Sequence, residues 1–318
     1  MKTACITGVT GQDGAYLVAL LLQKGYKVVG LTRSYNTITL KNFKYLNIED
    51  KIVIEECDLF DFSSIVKILL KYRPDEFYNL GAQSSVGVSF EQPIGTINYN
   101  TQSLLNILES IRLLKLDTKV YQASSSEMFG RVNNLPVNEN TPLHPLSPYA
   151  ISKASAYWIG INYRESYNVY CANGILFNHE SYLRSNNFFV KKVIKTSLDI
   201  KNGEKDFLSV GNIDVKRDFG YAPDYIEAMW LSLQQDKADD YLICSGKSIY
   251  LREIVMYVFD YLNIPSNKLV ENRDLFRPTD IQDIYGDNTK SKTVLKWDYN
   301  KSFFDVLDVL IEEEIKNY

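Results

Sequence analysis

The chain has 318 residues, 45% hydrophobic and 23% charged, with a net charge of −4 at pH 7. This length can hold one large α/β domain or two lobes, and the acidic balance argues against nucleic acid as the main partner. No apolar run is long enough to cross a bilayer and no signal peptide precedes the first apolar segment, so we expect a cytoplasmic protein with no membrane partner, a setting that suits four widely spaced cysteines.

A glycine-rich turn, Gly8-Val9-Thr10-Gly11-Gln12-Asp13-Gly14, follows the first predicted strand, Thr3–Thr7, and precedes a helical segment at 15–24. A strand, such a turn and a helix form a dinucleotide pyrophosphate site, because glycines admit the phosphates and the helix N-terminus presents free N–H groups to them. The spacing is G-x-x-G-x-x-G, and an ordinary strand-to-helix turn is the alternative. Its position at the start of an α/β pattern favours a cofactor site.

The end of the second predicted strand, 27–31, indicates the kind of nicotinamide cofactor. An NAD site usually has an acidic residue here for the ribose 2′-hydroxyl, whereas an NADP site has a base near the 2′-phosphate. This chain reads Thr32-Arg33-Ser34, without an acid. Arg33 therefore favours NADP, the alternative being a solvated loop arginine.

Three more predicted strands, at 52–56, 76–80 and 119–123, alternate with helical segments at 63–72 and 95–114. Strands and helices alternating at this rate form a parallel, doubly wound sheet. The sequence therefore predicts a Rossmann-type α/β fold.

Small or polar residues follow these strands, at the edge where open α/β sheets bind ligands. Asp58 and Leu59 follow the third strand and are predicted to contact adenine, and the small-residue loop 81–85 follows the fourth. The fifth strand runs into Ser124-Ser125-Ser126-Glu127, whose hydroxyls and carboxylate are placed to face the crevice. A serine-rich turn with an exposed glutamate fits that segment equally well.

The helix that begins at Ser147 and Pro148 distinguishes these two interpretations. It places Tyr149 and Lys153 one turn apart on one face. An ammonium beside a phenol favours phenolate, so we expect the pKa of Tyr149 to be lowered from about 10 toward neutrality. Tyr149 would then serve as an acid and base.

The composition becomes less regular beyond Asn173. We therefore divide the chain into an NADP-binding Rossmann domain, residues 1–173, and a smaller, mainly substrate-binding lobe, residues 174–318, of which about 218–245 returns to the first domain. His144 and His179 are isolated and lack metal-ligand spacing, so no metal site is predicted.

With these residues placed, the chain resembles the extended short-chain dehydrogenase/reductase superfamily and, within it, the GDP-mannose 4,6-dehydratases over essentially its whole length. The segments that carry the resemblance are GVTGQDGAYL, YNLGAQSSVGVSFE, QASSSEMFG, SPYAISKASAYWI, NGILFNHES, KRDFGYAPDYIEAMW and RPTD. The resemblance implies an NADP-dependent lyase that converts a GDP-hexose to a GDP-4-keto-6-deoxy sugar and water, by hydride transfer to and from one NADP.

The resemblance also implies roles for four catalytic residues. Tyr149 takes the proton from the sugar 4-hydroxyl, and Ser125 hydrogen-bonds the 4-oxygen. Glu127 removes the C5 proton while water leaves from C6. Lys153 contacts the nicotinamide ribose and tunes Tyr149.

Binding residues are implied in the same way. The cofactor contacts are Gly8, Thr10, Gly11, Gln12, Asp13, Arg33, Asp58, Leu59, Leu80, Ala82, Ser84, Lys153, His179 and Arg184. The contacts to the GDP-sugar are Ser85, Asn178, Lys192, Arg217 and Arg277, among which the arginines suit diphosphate oxygens.

Departures from the family pattern cluster near the sugar and the nucleotide. Ser84-Ser85-Val86 replaces Ser-His-Val, and 181–184 and 277–282 also differ. The hypothesis that follows is that the hexose differs from mannose, with GDP-N-acetylglucosamine or a GDP-heptose as candidates.

The alternative functions are a nucleotide-sugar epimerase or decarboxylase, which shares Ser125, Tyr149 and Lys153, and a non-catalytic NADP-binding regulator. A homodimer or homotetramer is expected.

Overall fold

The structure is a computed structural model that describes residues 1–318, apart from the side chain of Thr37. Its strands, numbered in chain order, are β1 (Thr3–Thr7), β2 (Lys27–Thr32), β3 (Val53–Glu56), β4 (Glu76–Asn79), β5 (Lys119–Ser125), β6 (Cys171–Leu176), β7 (Asn178–Glu180), β8 (Leu208–Val210), β9 (Lys216–Tyr221), β10 (Asp240–Ile243), β11 (Ser248–Tyr250) and β12 (Leu269–Glu271). The α-helices are α1 (Gln12–Gln23), α2 (Lys41–Leu46), α3 (Phe62–Tyr72), α4 (Val86–Glu91), α5 (Pro93–Leu114), α6 (Pro148–Tyr167), α7 (Phe189–Lys201), α8 (Ala222–Leu233), α9 (Leu251–Leu262) and α10 (Phe303–Lys316).

The central sheet is parallel, with the strand order β10-β6-β5-β4-β1-β2-β3. This order reverses direction at β1, so a crevice opens beyond the carboxyl ends of β1 and β4. The predicted doubly wound α/β fold is confirmed.

Helices cover both faces of the sheet because its inner strands are apolar on both sides. On β4 and β5, Tyr78 and Tyr121 belong to the core beneath α1 and α8, whereas Phe77 and Val120 belong to the core beneath α3, α5 and α6. Successive strand residues point to opposite faces, which explains this division.

A second core lies under α7, α9 and α10, with Val193, Val258 and Leu307 fully buried in it. Beside it, β9 pairs in parallel with β7 and antiparallel with β11, while β8 pairs with β12. The chain then returns through α8 to β10, which pairs with β6 at the edge of the central sheet.

Local signals fix the helix ends that matter for the site. Ser147 Oγ accepts a hydrogen bond from the N–H of Ala150 (3.1 Å), and Pro148 occupies the first turn of α6. Gly25 ends the α1 segment with a positive φ of 79°. Helix α1 begins at Gln12, three residues before the predicted start at 15, because the glycine-rich turn continues directly into its first turn.

None of the helices in the described part of the chain is both long and apolar enough to span a membrane.

Candidate active site

A cavity of about 330 Å³ opens at the carboxyl edge of the central sheet, where β5 and β6 end and α6 begins. It contains most of the residues predicted to act on or bind ligands. They are Asp13, Leu80, Ala82, Ser84, Ser85, Ser125, Glu127, Tyr149, Lys153, Asn178, His179, Arg184, Arg217 and Arg277.

A smaller cavity of about 190 Å³ adjoins it and is lined by Gly8, Thr10, Arg33 and Leu59. Ala82 lines both cavities. Gly8 has a φ of 64°, and a Cβ there would lie 2.9 Å from the backbone of Gly81. The glycine thus allows β1 and β4 to approach each other closely at the turn.

Four predicted binding residues line neither cavity: Gly11, Gln12, Asp58 and Lys192. The ammonium of Lys192 donates a hydrogen bond to the carbonyl of Ser209 (2.8 Å), and the carboxylate of Asp58 accepts one from the N–H of Phe60 (3.0 Å). The ligand contacts predicted for all four residues stay predictions.

The serine-rich end of β5 faces the cavity. Ser125 Oγ accepts a hydrogen bond from the N–H of Glu127 (3.3 Å), which caps a 3₁₀ turn and aims the carboxylate of Glu127 inward. Ser124 Oγ is buried, lines the same cavity and has no hydrogen-bond partner among the residues that the structure describes. A buried hydroxyl without a partner is costly, so a ligand atom would stabilise it.

The pKa of Tyr149 is raised, whereas the sequence predicted that it would be lowered. Burial raises the pKa of Tyr149 to about 12, and a hydrogen bond with Ser125 offsets only part of that effect. The predicted lowering is therefore wrong for this arrangement, because loss of solvent outweighs the nearby positive charge.

Lys153 lies on the same face of α6, with its Nζ 5.9 Å from the centre of the Tyr149 ring. The Nζ donates a hydrogen bond to the carbonyl of Ala123 (2.7 Å), which fixes it at the end of β5. Burial lowers the pKa of Lys153 to about 8.

Polar side chains connect the glycine-rich turn to the segment after β6. Gln12 donates a hydrogen bond to the carbonyl of His179 (3.2 Å) and accepts one from the hydroxyl of Ser181 (2.8 Å). His179 Nε2 lies 3.0 Å from Asp13 Oδ2, and its Nδ1 lies 2.7 Å from the carbonyl oxygen of Phe177. GQDG and FNHES, which are far apart in the sequence, therefore form one hydrogen-bonded unit.

Charge stabilises this unit. Burial raises the pKa of Asp13, but the His179 imidazolium and Arg184 outweigh it and hold that pKa at about 2. Burial lowers the pKa of His179, but Asp13 outweighs it and raises that pKa above its usual value. The two residues form an ion pair over the mildly acidic range, with His179 buried and Asp13 partly buried.

The family model for GDP-mannose 4,6 dehydratase matches residues 5–309 of the chain. The chain belongs to the GDP-mannose 4,6-dehydratase family. The resemblance inferred from the motifs is therefore confirmed.

Curated members of the GDP-mannose 4,6-dehydratase family align over nearly the full length of this chain. GDP-mannose 4,6 dehydratase 1 of Arabidopsis thaliana is 41% identical over 99% of this chain and 90% of its own length. The GDP-mannose 4,6-dehydratase of Vibrio cholerae is 37% identical over 99% of this chain and 94% of its own length.

Solved structures agree on the fold. A dTDP-glucose 4,6-dehydratase from Streptomyces venezuelae superimposes with a TM-score of 0.89 at 20% identity, over 99% of this chain and 97% of that one. A UDP-glucose 4-epimerase from Thermotoga maritima gives a TM-score of 0.88 at 20% identity over 99% of both chains. At these identities the likeness establishes the architecture alone.

The sequence did not single out several residues that line the cavity of this GDP-mannose 4,6-dehydratase family member. They are Glu180, Asn187, Phe188, Phe189, Gly211, Asn212, Ile213, Val215, Leu251, Leu275 and Asp280. The guanidinium of Arg184 lies 3.6 Å from the centre of the Phe188 ring. The polar run at 185–187 before the amphipathic helix α7 was the available signal for Asn187, Phe188 and Phe189 alone.

Metal ligands are absent from the described residues, among which no group of three or more His, Cys, Asp or Glu side chains could hold an ion.

Proposed function

We propose that the protein is an NADP-dependent GDP-sugar 4,6-dehydratase, a carbon–oxygen lyase that converts a GDP-hexose to the GDP-4-keto-6-deoxy sugar and water. The observation that carries the proposal is that Ser125, Glu127, Tyr149 and Lys153 line one cavity together with Arg217. A hydroxyl, a carboxylate, a phenol and two cations thus face one ligand volume. Membership of the GDP-mannose 4,6-dehydratase family supports the same reaction.

The residues present fit a nicotinamide dinucleotide. Gly8 has a left-handed backbone conformation and lies close to Gly81, which leaves room for a pyrophosphate at the N-terminus of α1. Arg33 lines the adjoining cavity and forms no ion pair with any described residue, and no carboxylate lines that cavity. This donor set favours the 2′-phosphate of NADP over the bare ribose of NAD.

The chain's own residues carry the proton transfers. When bound there, NADP would supply the hydride acceptor for C4 of the sugar and the hydride donor for C6. Tyr149 takes the proton of the 4-hydroxyl, and Ser125 orients the 4-oxygen toward it. Lys153, fixed at the carbonyl of Ala123, supplies positive charge beside the phenol.

Glu127 carries the elimination. The 4-ketone acidifies the C5 proton, which the carboxylate of Glu127 removes, while the C5–H electron pair forms a double bond to C6 and the C6 hydroxyl departs. The proton on Glu127 passes to that hydroxyl and water leaves, so Glu127 ends as a carboxylate. When a hydride adds to C6, C5 takes up the proton that Tyr149 holds, so Tyr149 also ends as it began.

GDP-mannose is the substrate that the names of the curated relatives indicate. Ser85 lines the cavity beside Gly87, where an added Cβ would meet nothing closer than 3.9 Å. This open wall supports a substrate with a larger substituent, and GDP-N-acetylglucosamine and a GDP-heptose join GDP-mannose as candidates.

The domain division and assembly remain part of the proposal. Residues 1–173 with about 218–245 would bind the cofactor, and the rest of 174–318 would bind the GDP-sugar, in a cytoplasmic homodimer or homotetramer. The pairing of β10 with β6 supports this division.

A mass-spectrometric and NMR assay of the purified protein with NADP and a panel of GDP- and UDP-sugars tests the function. We expect loss of one water from a GDP-sugar without net formation of NADPH. A product of unchanged mass would assign the protein to the epimerases, and loss of carbon dioxide would assign it to the decarboxylases.

A further inference from the structure

Arg217 on β9 is a buried cation between two carboxylates. Its side chain is 7% exposed, its Nη2 lies 2.6 Å from Asp280 Oδ1, and its Nε lies 3.9 Å from Glu127 Oε1. The first contact is a hydrogen bond, whereas the second is an ion pair too long for one. Arg217 is therefore bound firmly to Asp280 and only loosely to Glu127.

Backbone contacts fix the plane of this guanidinium. Its Nη1 donates hydrogen bonds to the carbonyls of Lys216 (2.8 Å) and Ile281 (2.6 Å). The Nε–H and one Nη2–H make no hydrogen bond with any residue within the described structure, and Arg217 lines the large cavity. Free guanidinium N–H groups suit the oxygens of a phosphate as acceptors.

Asp280 serves two arginines. Its Oδ1 lies 3.7 Å from Arg277 Nη1 and accepts a hydrogen bond from the N–H of Ile281 (3.0 Å), which fixes the carboxylate. The formal charges of Arg217, Arg277, Asp280 and Glu127 sum to zero. A diphosphate that binds at the free N–H groups of Arg217 therefore meets a cluster without net negative charge.

We propose that Asp280 is a positioning residue: it holds Arg217 beyond hydrogen-bonding distance of Glu127, so that the carboxylate of Glu127 stays free to act and Arg217 stays open to a diphosphate. The inference rests on the proposed function, in which Glu127 removes the C5 proton of a GDP-sugar.

The consequence follows from geometry. Arg217 is hydrogen-bonded to Asp280 at 2.6 Å and stays 3.9 Å from Glu127, so the carboxylate of Glu127 is not engaged in a direct hydrogen bond with it. Phosphate oxygens that accept from the free N–H groups of Arg217 hold it in that place once the substrate's diphosphate is bound. Without Asp280, Arg217 pairs more closely with Glu127, and removal of the C5 proton slows.

The test compares Asp280→Asn with the wild-type enzyme, loaded with NADP, on GDP-sugar deuterated at C5 and on GDP-sugar deuterated at C4. Asparagine keeps an acceptor for Arg217 and Ile281 but loses the charge. We expect KM to rise about tenfold, the effect of one weakened charge-assisted hydrogen bond. We also expect the C5 isotope effect on kcat to increase and the C4 isotope effect to decrease.

Asp283→Asn is the matched control, because Asp283 lies on the same segment but pairs with Lys216 (3.7 Å) and does not line the cavity. It should leave both isotope effects unchanged. Arg217→Lys is a second variant that tests the same contact if Asp280→Asn fails to fold. It keeps a charge beside Glu127 but loses the Nη2 contact with Asp280, so the C5 isotope effect should again increase.

A higher KM with unchanged isotope effects in both variants would overturn the positioning role and leave Asp280 a purely structural residue. If the wild-type enzyme removes no water from any GDP-sugar, the proposed function itself fails. The two failures are therefore distinguishable.

Discussion

Tyr149 and Glu127 divide the proposed chemistry at the scale of single residues. Burial, which raises the pKa of Tyr149 to about 12, makes the phenolate scarce at neutral pH, so the positive charges facing it matter. Lys153 is held beside it by the carbonyl of Ala123, and the charge of Arg184 lowers the pKa of Tyr149 without offsetting burial. The acceptor of the first proton thus depends on its cationic neighbours.

Glu127→Gln should block elimination yet leave the first hydride transfer, so that reduced cofactor and a 4-keto intermediate accumulate. Tyr149→Phe should suppress even that transfer, and each variant should lose about 10²- to 10⁴-fold in kcat. Absorbance of NADPH in a single turnover separates them. Tyr167→Phe, an exposed tyrosine on the same helix, is the control. Normal turnover in either variant would refute the role given to that residue.

Arg33→Ala tests the cofactor preference. The guanidinium lines the smaller cavity, so its loss should raise the Kd for NADP about tenfold or more while leaving that for NAD nearly unchanged. Titration of tryptophan fluorescence measures both constants, with the exposed Lys67→Ala on α3 as the control. An equal effect on the two cofactors would contradict a 2′-phosphate contact.

At the scale of elements, the ion pair between Asp13 and His179 fastens α1 to β7. The raised pKa of His179 contributes stability that is complete below its unfolded pKa, about 6.5, and is lost as pH rises through the folded value. The lowered pKa of Asp13 contributes stability above its unfolded pKa, about 3.9, that is lost as pH falls toward about 2. The pair is therefore strongest at about pH 4–6.5.

Asp13→Asn should lower Tm by about 2–5 °C near pH 5 and by less at pH 9. Thermal unfolding followed by circular dichroism at both values measures the difference. Asp117→Asn, an exposed aspartate, should change Tm little at either pH. A decrease in Tm that is the same at pH 5 and pH 9 would mean that the charge of the pair contributes nothing.

Elements with regular patterns could be predicted from the sequence, and those without could not. Alternating apolar strands and helices gave the doubly wound sheet, and Ser147 with Pro148 gave the start of α6. The short helices α2 and α4 carry too few residues for a periodic pattern. The wall formed by Gly211, Asn212 and Leu275 comes from irregular segments that long-range packing brings together.

At the scale of the whole molecule, the site depends on contacts between distant segments. Gln12 bonds Ser181, 169 residues away, and Arg217 bonds Asp280, 63 residues away. The sequence could indicate Gln12 and Arg217 through family resemblance but not the partners, Ser181 and Asp280, that orient them. The lowered pKa predicted for Tyr149 failed for the same reason, because the extent of its burial is set by the whole fold.

The central claim is that one cofactor takes a hydride from C4 and returns it to C6 within a single active site. The most direct measurement is NMR of the product formed from a GDP-sugar deuterated at C4, with catalytic NADP in ordinary water. We predict one deuterium at C6 of a 4-keto-6-deoxy product and no net NADPH. Deuterium retained at C4, or lost to free NADPH, would contradict the account.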